Sequence, residues 1–167
     1  MRELIGATDR VEVTVGRGAA PADSFEMVGR VLVEVIGPDG NVKDSRHVEN
    51  LVVTAGKNHI ADQLSSSPGG SAMSHMAVGT GSTSPAAGDT ALGTEIDRNA
   101  LTSRTDSTNV VTYVGDWAAG DATNSAIAEA GIFNASSSGT MLARATFTAI
   151  NKGASDTLKI TWTVTVG

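Results

Sequence analysis

The chain has 167 residues and a mass of 17.0 kDa, enough for one domain with an arm and for burying roughly 70% of the surface exposed by the unfolded form. A net charge of −6 and a pI near 4.9 argue against partners such as bare nucleic acid or an anionic membrane, which need clustered Lys and Arg. The absence of cysteine excludes disulfides, zinc–thiolate sites and cysteine nucleophiles together.

Taken from the N-terminus, Met1–Gly6 has no long apolar stretch of the secretory kind, and nowhere does an apolar run approach the roughly 20 residues of a membrane span. The expectation is a protein made in the cytoplasm and soluble there. Residues 10–16, Arg-Val-Glu-Val-Thr-Val-Gly, alternate apolar and polar at the strand period. Arg17–Asp23 is a small-residue linker, so residues 1–26 read as an extended N-terminal arm and 27–167 as the domain proper. Met27–Ile36 predicts a strand, with Val31, Val33 and Val35 on one face and Leu32, Glu34 and Ile36 on the other. Gly37-Pro-Asp-Gly40 is a turn signal, because Pro presets φ and Gly accepts positive φ. Val42–Val48 returns as a polar strand, making residues 27–50 a hairpin.

Thr54–Leu64 is the one helical segment. Thr54 is placed to cap it, and Ile60, Ala61 and Leu64 recur at helical spacing. A Ser/Pro/Gly loop ends it. Met73–Val78 reads as a strand, and a long Gly/Thr/Ser/Pro/Ala segment runs from Gly79 to Gly93. Short strands are then predicted at Arg98–Arg104, Val110–Trp117, Ile127–Asn134, Thr140–Ile150 and Thr157–Val166. The last alternates Leu158, Ile160, Trp162, Val164 and Val166 against Thr157, Lys159, Thr161, Thr163 and Thr165. The fold class is therefore mainly β: an antiparallel β-sandwich, jelly-roll or immunoglobulin-like, with one short helix. Apolar residues make up 40% of the chain but aromatics only 4%, so its core is thin and neighbouring subunits are expected to contribute stability.

Chemistry is hard to find. His47, His59 and His75 stand at no metal-ligand spacing and read as ordinary surface or lightly buried residues. Gly79-Thr-Gly81-Ser-Thr-Ser84 superficially suggests a phosphate loop but has no lysine, so it reads as a tight turn into an extended loop. Asp89, Asp116 and Asp121 each follow a glycine without calcium-loop spacing. Glu95 and Asp97 lie two apart, Glu129 stands alone in an Ala-rich strand, and no Gly-x-Ser-x-Gly elbow occurs. The expectation is a non-enzyme with no catalytic residue, cofactor or metal.

Four stretches carry a resemblance: Asn50–Leu64, Met76–Ile96, Ile127–Asn134 and Thr157–Val166. In this order they resemble a family of phage virion proteins known as tail-fibre, tail-collar or capsid decoration proteins, with the second and third as its best markers. The resemblance implies a β-sandwich-like module that assembles on the virion and carries no catalytic residues. A small module without a fibrous shaft after Gly167 suits a capsid decoration (cement) protein. Such a subunit binds over seams between major capsid proteins, works as a homo-oligomer, commonly a trimer, and stabilises the viral capsid. The alternatives are a tail component (collar, baseplate or fibre-attachment module) and, in a different class, a carbohydrate-binding module. The arm is expected to add a strand to a neighbour's sheet edge. Interface candidates are Phe25, Met27, Met73, Met76 and Trp117. Phe25 and Met27 are open between core and contact, whereas Trp162 and Phe147 read as core.

Overall fold

The computed structural model describes residues 26–65 and 67–167; the arm and Phe25 lie outside the described residues. The elements are β1 (Met27–Ile36), β2 (Val42–Glu49), β3 (Leu51–Val52), α1 (Thr54–Gln63), β4 (His75–Gly79), β5 (Glu95–Ala100), β6 (Ser103–Ser107), β7 (Val110–Trp117), β8 (Asn124–Phe133), β9 (Met141–Lys152) and β10 (Thr157–Val166). They form two five-stranded sheets, ordered β2-β1-β10-β7-β6 and β3-β9-β8-β4-β5, and every pairing is antiparallel. The fold is the mainly β, antiparallel sandwich with one short helix that the sequence pattern implies.

Alternation positions the core. Val31, Val33 and Val35 of β1 face inward beside Leu158, Ile160, Trp162 and Val164 of β10, which pairs with β1 along its whole length from Met27↔Val166 to Ile36↔Thr157. Sheet two answers with Met76, Ile127, Ile132, Phe147 and Ile150. The hairpin turn closes as its residues dictate: Gly40 takes φ +80°, and the Gly40 N–H donates to Gly37 O at 2.9 Å.

Both corners of the sandwich are turned by strands that change sheets. After Glu49 the chain bends at Asn50 and continues as β3, leaving β1 for β9. At Leu101–Thr102 it likewise passes from β5 in the second sheet to β6 in the first. The single strand expected at Arg98–Arg104 is thus two. The run Glu95–Ser107 is polar nearly throughout, so no apolar alternation marks the break. Where the main-chain ladder opens at a corner, a side chain bridges it. Arg46 of β2 donates to Thr148 O (3.2 Å) and Ala149 O (3.4 Å) on β9, and Asn99 of β5 donates to Asp116 O of β7 (3.0 Å). The sandwich is close to a flattened barrel, in which exposed edges are few.

The helix differs from its expected cap. Its N-cap is Val53, without a side-chain cap, and the Thr54 N–H instead donates to Ala87 O at 2.8 Å. Its buried residues are Gly56 and His59, while Ala61 and Leu64 are exposed. Glycine explains this. A Cβ at position 56 would stand 2.1 Å from Leu142 O, so the helix backbone rests directly on β9. Close approach at a residue without a side chain leaves no apolar signature for a helical-period reading to find.

Candidate functional site

The second sheet is covered on its outer face by α1 and by the long loop from Thr80 to Thr94. Val53, Ala77, Leu92, Phe133 and Met141 form a second apolar cluster there. With both faces covered, β8 is buried from Ile127 to Phe133, including Glu129 at 0% exposure. A carboxylate at that depth requires partners, and Glu129 accepts five hydrogen bonds. Oε1 accepts from Gly81 N–H (2.8 Å) and Thr94 N–H (2.7 Å). Oε2 accepts from Gly93 N–H (2.9 Å) and from Arg144 Nε and Nη2 (3.0 and 2.8 Å). Arg144, on the neighbouring β9, reaches on through Nη1 to Asp89 Oδ2 (2.7 Å), which also accepts from Ala86 N–H (2.9 Å).

Electrostatics follow the geometry. Burial alone would raise the Glu129 pKa, but donation from Thr94, Gly93, Arg144 and Gly81 outweighs it and holds the carboxyl below its ordinary value. Ala86 N–H and the Arg144 guanidinium lower Asp89. Burial works against the charge of Arg144, yet its bonds to Asp89 and Glu129 raise its pKa above the ordinary value. The phosphate-loop look of Gly79-Thr-Gly81 thereby finds its cause. Its Gly81 N–H does meet an anion, the chain's own Glu129, while the other two backbone donors to that carboxylate, Gly93 and Thr94, come from the far end of the loop. A Cβ at Gly79 would lie 2.3 Å from Thr94 O, and one at Gly81 would lie 2.4 Å from Glu129 Oε1. Chemically the cluster is a clasp that pins a long loop to the sheet.

A second buried polar group sits where the β7–β8 and β9–β10 turns meet. Lys152, at 0% exposure, donates to Ala118 O at 2.9 Å. Burial depresses its pKa, with Asp121, Asp156 and Asp97 opposing. Asp156 accepts both Lys43 Nζ bonds (2.9 and 2.8 Å) and the Gly153 N–H (2.9 Å), and its pKa is lowered, Lys43 being the main cause. The histidines stay apart: His59 is a buried residue of α1 itself, His75 shares a 2.8 Å hydrogen bond with Ser74, and His47 lies on the outer face of the first sheet.

The interface candidates mostly belong elsewhere. Met73, Met76 and Trp117 are buried core residues, at 4%, 0% and 0% exposure, so the contact role expected for them gives way to packing within the subunit. The reason is local: β7 carries Gly115, and a Cβ there would meet Met76 Sδ at 3.0 Å and Trp117 Cη2 at 3.3 Å, so both side chains fill that gap between the sheets. Trp162 and Phe147 are core, as their strand faces imply. Met27 is half-buried against the core and lines a groove of about 500 Å³ bounded by the start of β1, by β3 and by α1. Apolar Leu51, Val52, Ile60 and Leu64 line the same groove, Leu64 being 81% exposed. At its head, Asn50 Oδ1 accepts from Trp162 Nε1 at 3.0 Å.

Glu129, Arg144, Lys152 and Asn50 were not singled out as site residues by sequence. The available signal was a single acid, Glu129, in β8 and two bases, Arg144 and Lys152, in β9, both strands otherwise uncharged. Comparison with known proteins supplies no relative: no family model, no curated protein and no solved structure matches the chain.

Proposed function

We propose that this chain is a structural subunit of a bacteriophage virion, a capsid decoration protein that binds over seams between major capsid proteins and stabilises the head. The observation that carries the reading is how the four resembling stretches are joined. Met76–Ile96 and Ile127–Asn134 meet in the Glu129 clasp, and Asn50–Leu64 meets Thr157–Val166 through the Asn50–Trp162 hydrogen bond. Two polar fastenings thus tie the four stretches to one another. Rigidity is what a subunit that braces others requires, because a preorganised surface loses little freedom on docking. The carbohydrate alternative gains little support, since Tyr113, Trp117, Phe133, Phe147 and Trp162 are all buried and offer no stacking platform among the described residues.

Immunogold electron microscopy of intact virions, with antibodies to the purified protein, tests the assignment. Label scattered over the head is the expected result. Label confined to the tail would replace decoration with an attachment role. Particles without label, at an epitope shown to be accessible, would overturn the virion reading.

A further inference from the structure

We propose that the groove beside α1 receives the Val11–Val15 segment of a second copy of this chain, so that copies are linked by exchanged N-terminal arms. The proposal deepens the assembling-subunit reading and rests on it. Strand addition along a sheet edge is poorly served here, because both corners are turned by shared strands and bridged by Arg46 and Asn99. Among the described residues the groove is a concave apolar surface left open. Its wall includes Ile60, Met27 and Leu64, and volume of about 500 Å³ is enough for a few aliphatic side chains.

The first described residue, Glu26, lines this groove, so the 25 preceding residues leave the domain at the groove itself. Within them Val11, Val13 and Val15 share one face of an alternating segment, spanning about 13 Å if extended. Charge is complementary as well: Arg10 and Glu12 flank or interleave the valines, and Glu26 and Lys57 stand on the groove. Ten residues, 16–25, join the two parts and reach at most about 35 Å. Ala20 precedes Pro21, which favours extended backbone and works against the reversal needed to enter the same subunit's groove. The linker instead lets the segment enter the groove of a second copy docked within that reach. Exchange of identical elements is an inexpensive route to an oligomer.

The chain has no cysteine, so a double variant, Val13→Cys with Leu64→Cys, reports the contact directly. Oxidation should yield covalent multimers on a denaturing gel, reversed by reductant. Light scattering should show Leu64→Glu and Val13→Asp each returning the full-length protein to the single-chain 17.0 kDa with an unchanged circular dichroism spectrum. An intramolecular cross-link alone, a monomeric full-length protein, or an oligomer that survives both substitutions would overturn the exchange. The two readings fail differently: head label with a monomeric protein sinks the exchange, whereas cross-linked oligomers without particle label sink the virion assignment.

Discussion

The Glu129 clasp and the groove beside α1 lie on the same half of the molecule and treat surface in opposite ways. In the clasp, the charges of Glu129 and Arg144 are taken out of water and their partners are supplied by the chain, so its geometry is complete in one subunit. In the groove, apolar side chains remain in water, Leu64 at 81% exposure. The difference separates what the subunit does for its own fold from what it leaves for others. Substitutions in the clasp should register in the stability of a single subunit, and substitutions in the groove only in assembly.

Removing the clasp's centre should have the largest effect. Glu129→Ala leaves Arg144 buried, with Asp89 as its remaining carboxylate, and three backbone donors without an acceptor. Breaking one side of a buried pair costs about 3–5 kcal/mol. Urea unfolding monitored by tryptophan fluorescence should show that loss, along with faster amide exchange at Gly81, Gly93 and Thr94. A loss below about 1 kcal/mol would mean that the loop is held mainly by Leu92 and its apolar neighbours.

Acid probes the same clasp without mutation. Glu129 and Asp89 have folded-state pKa values below their ordinary ones, so their contribution is fully present above the unfolded values, about 4.3 and 3.9. It fades as pH falls through the depressed folded values, because the unfolded chain then binds more protons. Stability should therefore decline below about pH 4, and the decline should be shallower in Glu129→Gln. An identical slope in that variant would assign the acid sensitivity to other carboxylates, Asp156 first among them.

A smaller loss is expected at the helix seat. Gly56→Ala places a Cβ against Leu142 O and must push α1 off β9; overpacking of this kind costs about 1–3 kcal/mol. Since α1 also forms a wall of the groove, the same variant should weaken oligomerisation while the clasp's exchange protection stays as it was. Thermal unfolding with light scattering separates the two effects.

Legibility in the sequence follows the same divide. The bounds of β1, β7 and β10 could be read directly, because each is a strand with one face on the core or is bracketed by clear turn residues. The clasp could not. Glu129 and Arg144 are fifteen positions apart, and only the β8–β9 register, with Gly131 opposite Arg144, brings them together. The corners were hidden because polar strands such as Glu95–Ser107 carry no apolar period. The groove was half visible. Met27 is legible as a candidate contact, but the helical spacing of Ile60 and Leu64 does not tell that the face seated on the sheet is that of Gly56 and His59. Large apolar residues near loops, Met73, Met76 and Trp117, misled for a related reason: in a core this poor in aromatics, each is needed inside.

The smallest effect expected on the isolated subunit is the most informative about the groove. Leu64 is the most exposed large apolar side chain among the described residues, so Leu64→Ser should change the subunit's unfolding free energy by less than about 0.5 kcal/mol. Measured at low protein concentration, its midpoint should match that of the unaltered chain. At high concentration the unaltered chain should gain stability, since an association that exists only in the folded state stabilises it by mass action, whereas Leu64→Ser should gain little. Equal gains in both would show that the copies meet elsewhere, and an equal lack of gain would make the groove a surface for a different partner.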